Sequence, residues 1–266
     1  MRRALTIVQA VVTVAMSLFL IVPTLMSMVA GLTDNYFRGW RSGLTLRWLA
    51  QVWELYSDAI FLSLQIALVT LLIVLLIGVP AAYALARSGR RLARTIEGLL
   101  VLPVAVPGLA SALALLVVYG GFTAFRVSWL FIVVGHVIFT LPFMVRAVVA
   151  VCLSQNLRQL EEGAASLGAG FWQRFVTVVL PNIRSGILAG ALTVLTLSIG
   201  EFNLTWMLHT PMTKTLPVGL ADAYASMRIE VGSAYTLIFF IMIVPLLVGM
   251  QTIGRRRAGR QPETAA

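Results

Sequence analysis

Side chains able to carry out chemistry are few and scattered in this sequence. It holds one cysteine, Cys152, two histidines, His136 and His209, one lysine, Lys214, and ten acidic residues. A lone thiol forms no intrachain disulfide, and two histidines this far apart lack the spacing of a metal site. A nucleotide-binding loop ends in Gly-Lys-Ser/Thr so that backbone amides and the lysine hold phosphates. Lys214 stands instead in Thr-Lys-Thr with no glycine cluster before it. No catalytic residue, no metal site and no cofactor bound by this chain are therefore expected. One acid stands out. Glu201, in TLSIGEFNLTW, falls within an apolar run, where an ionised carboxylate is costly unless it meets water or a partner. It suits a translocation path and a cationic or amine-bearing solute; a pair with a basic group of another subunit, or a place near the outer interface, are the alternatives. Ser198 and Asn203 lie close by in sequence, although Asn203, two positions on, does not share the helical face of Glu201.

The elements that must position such a residue are membrane spans. The 266 residues are 59% hydrophobic and only 11% charged, the balance of a polytopic membrane protein. A hydrocarbon layer about 30 Å thick takes roughly 20 apolar residues of helix, and that ruler finds six spans near 5–32, 59–86, 99–119, 129–150, 186–208 and 234–253. The apolar run after Arg2 and Arg3 is far longer than the core of a signal peptide, so it reads as a retained first helix. Arg87, Arg90, Arg91 and Arg94, then Arg158, Arg174 and Arg184, and finally Arg255, Arg256, Arg257 and Arg260 all fall on the side of Arg2 and Arg3. On the other side Arg38, Arg41, Arg47, Arg126, Lys214 and Arg228 are nearly balanced by acids. By the positive-inside rule both termini are cytoplasmic. The net charge of +10 is thus a topology signal, and nucleic acid is not expected as a partner. Pro80, Pro103, Pro107 and Pro142 lie in or at the ends of spans, where proline frees a carbonyl and bends a helix; Pro107 joins Glu201, Asn203 and Ser198 as a candidate pathway position. Residues 45–56 put Leu46, Leu49, Val52, Trp53 and Tyr56 on one side behind Thr45 as a cap, which predicts a helix lying on the outer leaflet.

The largest cytoplasmic loop, 154–185, carries EEGAASLGAGFWQRFVTVVLP. Leu157, Leu160, Ala164 and Leu167 recur at helical spacing while Arg158, Gln159, Glu161 and Glu162 are polar, which predicts an amphipathic helix over 156–167. Gly168-Ala169-Gly170 should end it with a turn. A second short helix from Phe171 to Val179 should stop before Pro181, with Phe171, Trp172 and Phe175 bracing it against the span ends, or with Trp172 instead anchoring at the lipid interface. The residues alone leave two readings open, a helix that docks in another protein's groove and one that lies on the inner lipid surface.

The spacing Glu162, Ala164, Gly168, Val178-x-Leu180-Pro181 resembles the Glu-Ala-Ala signature of permease subunits of binding-protein-dependent ATP-binding-cassette importers. Gly163 and Val178 depart from it, in place of alanine and isoleucine. LTLRWLAQVW, GVPAAYALAR, LPVAVPGLASALALL and HVIFTLPFMVRAV are similar to the branch that handles spermidine/putrescine, 2-aminoethylphosphonate, ferric iron and sulfate. The resemblance implies an all-α, six-span type I importer permease, one domain over 1–266, in a bacterial inner membrane. It implies as partners a second permease copy or homologue, two ATPase subunits that bind ATP and Mg, an extracytoplasmic solute-binding protein and membrane lipid. The implied coupling residues are Leu160, Glu161, Glu162, Ala164, Leu167, Gly168, Leu180 and Pro181, with Glu162 meeting the ATPase. The expected cargo is a polyamine or other amine-bearing solute, with 2-aminoethylphosphonate, ferric iron or an oxyanion as alternatives. An ion-coupled secondary transporter is the rival from another class; it would favour inverted repeats and several intramembrane ionisable groups, whereas Glu201 is the one clearly mid-span acid.

Overall fold

The computed structural model describes residues 2–88 and 91–258. Arg90 and Arg260, and the side chains of Arg2, Arg3, Arg91, Arg94, Arg255, Arg256 and Arg257, on which the topology reading partly rests, lie outside the described residues.

In chain order the helices are α1 (Arg2–Ala30), α2 (Arg47–Ser88), α3 (Arg91–Leu99), α4 (Leu102–Ala105), α5 (Gly108–Tyr119), α6 (Thr123–Arg126) and α7 (Trp129–Ser154). They continue as α8 (Leu157–Ser166), α9 (Phe171–Arg174), α10 (Leu180–Gly200), α11 (Asn203–Leu208), α12 (Leu216–Ala225) and α13 (Ile229–Ala258). No strand forms among the described residues; the nearest approach is one antiparallel bridge, Thr33 to Leu44. Among the described residues five helices are long and apolar enough to cross a membrane, and the pair Thr95–Ala105 and Gly108–Tyr119, bent by 100°, makes up to six. The bend falls where Val106 is extended (ψ 133°) before Pro107, because the proline ring bars its predecessor from helical geometry. Helices α2 and α7, by contrast, run on through Pro80 and Pro142.

Two expectations are corrected. Residues 45–56 are not a separate surface helix: Thr45 does cap the start, its hydroxyl accepting from Arg47 N at 3.1 Å, but α2 then continues for 42 residues. Nothing between Arg47 and Ile77 is glycine or proline, so no residue breaks it. At 1.5 Å per residue α2 is about 63 Å long, twice the hydrocarbon thickness, and its polar first turns extend beyond the apolar run. Span five, expected unbroken over 186–208, is interrupted at Glu201 and Phe202, between α10 and α11.

The backbone gathers into two compact units. One comprises Met1–Ala59 and Val218–Met242. In it Tyr224 Oη lies 3.1 Å from Ser27 Oγ, the Glu230 carboxylate accepts from Tyr36 N at 2.9 Å, and Tyr56 and Tyr235 pack ring to ring. Along α1, apolar side chains from Leu5 to Met26 point outward. The other unit, Ile60–Pro217 and Ile243–Ala266, contains both candidate sites. One of its cores joins Val74, Val79, Ala82 and Tyr83 of α2, Met144 to Cys152 of α7, Leu157 of α8, Val179, and Ile183 to Val194 of α10. The other joins Ile66, Ala112, Leu115, Phe131 to Val133, Leu204 and Leu208. Helices α7 and α10 approach closely over Gly186 and Gly190: a Cβ would come within 2.7 Å of Ala147 O at the first and 2.5 Å of Met144 Sδ at the second. The four-residue spacing of small residues is the pattern that lets apolar helices meet backbone to backbone.

Candidate functional site

The Glu-Ala-Ala-like signature folds into α8, a turn, and a helix that runs into a span. Asn156, with φ 46°, opens α8, and Gly168, with φ 85°, follows its end. Left-handed geometry costs a side-chain-bearing residue energy and glycine almost none, so the expected turn is where the sequence places it. Helix α8 is amphipathic, but one polar residue is on the inner face. Leu157 is buried, and so, one turn on, is Glu161, which is 3% exposed. The Glu161 carboxylate accepts a 2.5 Å hydrogen bond from Tyr83 Oη and lies 3.7 Å from the Arg87 guanidinium; Arg87 also donates to Tyr83 Oη at 2.9 Å. Glu162 is exposed and takes a 2.8 Å bond from Arg158 on the same helix. The carboxylate beside it holds Arg158 above the usual guanidinium value. An exposed pair of this kind adds little to stability, so Glu162 is available to another partner.

Leu160 is 45% exposed and Leu167 89%, while Ala164 is half-buried. These apolar side chains, with Trp172 beyond the turn, leave an uncovered apolar edge on the element. Of the three aromatics expected to brace the second short helix, Phe175 does so, meeting Tyr83 edge-on at 5.5 Å; Phe171 stacks on Phe175, and Trp172 stays outside. That second helix does not stop before Pro181. From Phe171 the chain passes through a π-helical turn, Phe175–Val179, directly into α10, where Leu180 and Pro181 occupy the first turn. A π turn widens the helix and relieves the clash of a proline ring with the carbonyl four residues back. The Asn182 side-chain amide donates to Val178 O at 2.7 Å.

The second site is a cavity of about 620 Å³. Its wall comes from the end of α3, α4, the bend, α5, α7, Glu201 and α11, and is apolar apart from Ser111, Tyr119 and Glu201. No Arg, Lys or His lines it among the described residues. Glu201 is half-buried at the break of span five, and its Oε1 accepts from Leu204 N at 2.7 Å, capping α11 as an N-cap side chain caps a helix start. Of the other expected pathway residues, Pro107 sits at the bend and caps α5, and Asn203 Cβ faces Gly108. Ser198 is buried and turned away: its hydroxyl lies 2.7 Å from His136 Nδ1.

His136 was legible in the sequence only as a rejected metal ligand. In the structure it is 2% exposed, with Nε2 2.8 Å from Thr205 Oγ1 as well as Nδ1 on Ser198. One α7 side chain thus joins α10 to α11 across the break at Glu201. No cluster of three metal-ligating side chains forms among the described residues.

Comparison with known proteins gives a family match over residues 75–258, to the binding-protein-dependent transport system inner membrane component. The chain is 27% identical over 249 residues to a putative 2-aminoethylphosphonate transport system permease protein of Salmonella typhimurium, covering 92% of this chain and 93% of that one. It is 30% identical over 222 residues to the molybdenum transport system permease protein of Escherichia coli, covering 76% and 96%. It is 29% identical over 218 residues to a sulfate transport system permease protein of Synechocystis, covering 76% and 78%. Among solved structures it resembles a chain of the inward-facing MetNI methionine ABC transporter, with TM-score 0.60 and 18% identity over 78% of this chain and 95% of that one. That likeness is one of fold.

Proposed function

The chain belongs to the binding-protein-dependent transport system inner membrane components, with the type I importer permease fold, and from that premise we propose that it forms the pathway for an amine-bearing solute and the lever that an ATPase moves. It is a transport component and not an enzyme. The partners in this reading are a second permease subunit, a pair of ATPase subunits that bind ATP and Mg, and an extracytoplasmic binding protein, with lipid around the spans. The termini face the cytoplasm, as the arginine distribution favours. ATP-driven closure of the ATPases displaces α8, the spans rock, and the pathway opens toward the binding protein; hydrolysis resets it. Leu160, Ala164 and Leu167 seat in the ATPase groove and Glu162 meets it at the rim, while Glu161, Gly168, Leu180 and Pro181 complete the coupling segment on the permease side.

The match over residues 75–258 carries the importer reading. The exposed leucines of α8 support its docking role. For the solute, the supporting observation is a cavity that offers one carboxylate, Glu201, and no cationic side chain among its lining residues. A bare oxyanion entering it meets no counter-charge, whereas an ammonium meets Glu201 with little competing polarity. Polyamines and 2-aminoethylphosphonate both carry such an amine. The test is uptake of labelled putrescine, 2-aminoethylphosphonate, sulfate and molybdate by cells expressing the complete transporter. Uptake of an amine, reduced at least about tenfold by Glu201→Gln with the ATPase still assembled, is expected; uptake of an oxyanion unaffected by Glu201→Gln overturns the amine assignment.

A further inference from the structure

We infer that Glu161, through Tyr83 and Arg87, is the positioning residue that ties the coupling helix to α2, so that movement of α8 is passed to a span instead of being lost in its turns. The inference rests on the reading of α8 as the coupling helix. Helix α8 is bounded by two left-handed residues, Asn156 and Gly168, and a ten-residue helix between such turns can swing without moving what precedes or follows it. Two side chains one turn apart hold it down. Leu157 enters the core formed by α2, α7 and α10, an attachment without direction, because apolar packing tolerates sliding. Glu161 supplies the directional one: its carboxylate is buried and bonded at 2.5 Å to Tyr83 Oη, with the Arg87 guanidinium 3.7 Å away.

Tyr83 and Arg87 are themselves one turn apart near the end of α2. They are linked through the same hydroxyl, so the carboxylate grips two successive turns of a span. Tyr83 also packs on Phe175, in the π-helical turn that leads into α10. A displacement of α8 therefore pulls on α2 through a charged, desolvated bond and presses on the base of α10 through a ring. Separating a buried carboxylate from its partners is strongly unfavourable, which makes the tie stiff. The exposed Glu162 is bonded to Arg158 of its own helix and, among the described residues, to no other element. The two adjacent acids thus divide the work: Glu162 faces the motor and Glu161 faces the span.

The test uses the permease purified with its cognate ATPase and reconstituted in lipid nanodiscs, with Cys152→Ala and a reporter cysteine, Ser111→Cys, in the cavity wall. The rate of N-ethylmaleimide labelling is read with and without ATP and vanadate. A coupling of ordinary strength shifts that rate about fivefold or more. Glu161→Ala is expected to keep the ATPase bound and hydrolysing while the nucleotide-dependent shift collapses to less than about twofold. Tyr83→Phe should reproduce the collapse in part, and Glu161→Gln, which keeps a hydrogen-bonding group, should fall between. An undiminished shift in Glu161→Ala overturns the inference, and so does loss of ATPase binding in that variant, which would place Glu161 in the docking surface. If Glu161→Ala does not accumulate, Tyr83→Phe decides in the same way, since it removes one hydroxyl. Undiminished ATPase binding in a Glu162→Ala, Gly168→Val variant overturns instead the reading of α8 as the coupling helix, independently of the Glu161 result.

Discussion

The coupling segment and the cavity at the Glu201 break solve one physical problem in opposite ways. Each contains an interrupted helix, and each interruption is spanned by a buried polar side chain from a neighbouring element. At the break the bond is internal and complete: His136 uses both ring nitrogens, on Ser198 and Thr205, and Glu201 caps Leu204. The imidazole and the two hydroxyls are taken up in holding α10 and α11, and apart from Ser111, Tyr119 and Glu201 the cavity beside them is apolar. At α8 only the inner face is tied, through Glu161, and the outer edge keeps Leu160, Leu167 and Trp172 uncovered. Around the cavity the imidazole and its hydroxyl partners are satisfied within the chain. Around α8 the outer apolar edge is left uncovered, open to a partner.

The largest effect is expected at the turn that frees the second region. Gly168→Val forces a β-branched residue into φ 85°, geometry that is costly for any side chain with a Cβ. Uptake should fall below detection while the protein still reaches the membrane at normal levels, as immunoblots of membrane fractions would register. Normal uptake would mean that the turn is not needed for coupling. At the cavity the comparison predicts a loss of stability before one of docking. His136→Ala leaves two buried hydroxyls without their partner and should cost about 2–4 kcal/mol, read as a lowered unfolding temperature in detergent. ATPase copurification per folded permease should stay unchanged. Smaller again is Glu162→Ala, which removes one contact at the rim of the docking surface and should weaken ATPase association about tenfold in a titration on reconstituted permease. An effect of Glu162→Ala on unfolding temperature as large as that of His136→Ala would erase the contrast between the two regions.

The sequence is legible where local rules act. Helical spacing of Leu157, Leu160 and Ala164, followed by glycine, was enough to place α8 and its turn, and apolar length was enough to find the span-length helices. It is opaque where long-range partners decide. Glu161 and Glu162 look alike in sequence, and the difference comes from Tyr83, 78 positions away. The break at Glu201 lies in an apolar stretch without proline, and the side chain that caps Leu204 N is a glutamate one position before the N-cap Phe202, not the Ser, Thr, Asp or Asn that usually marks a helix start. Pro181 misleads because a proline marks a helix stop as readily as a first turn, and the π turn before it leaves no trace in composition. The Gly186-x-x-x-Gly190 spacing was there to be read as a close helix contact. His136 was not, since its two hydroxyl partners belong to another span.

The most direct test of the central claim, that α8 is the joint between this chain and its motor, is photo-crosslinking from position 167. Leu167 is 89% exposed in the isolated chain, so a photoreactive amino acid placed there disturbs no core and reports whatever covers α8 in the cell. A crosslink to the ATPase subunit is expected, absent when Glu162→Ala and Gly168→Val are combined with the probe. A crosslink to phospholipid alone, unchanged by those substitutions, would contradict the claim and assign α8 to the inner membrane surface.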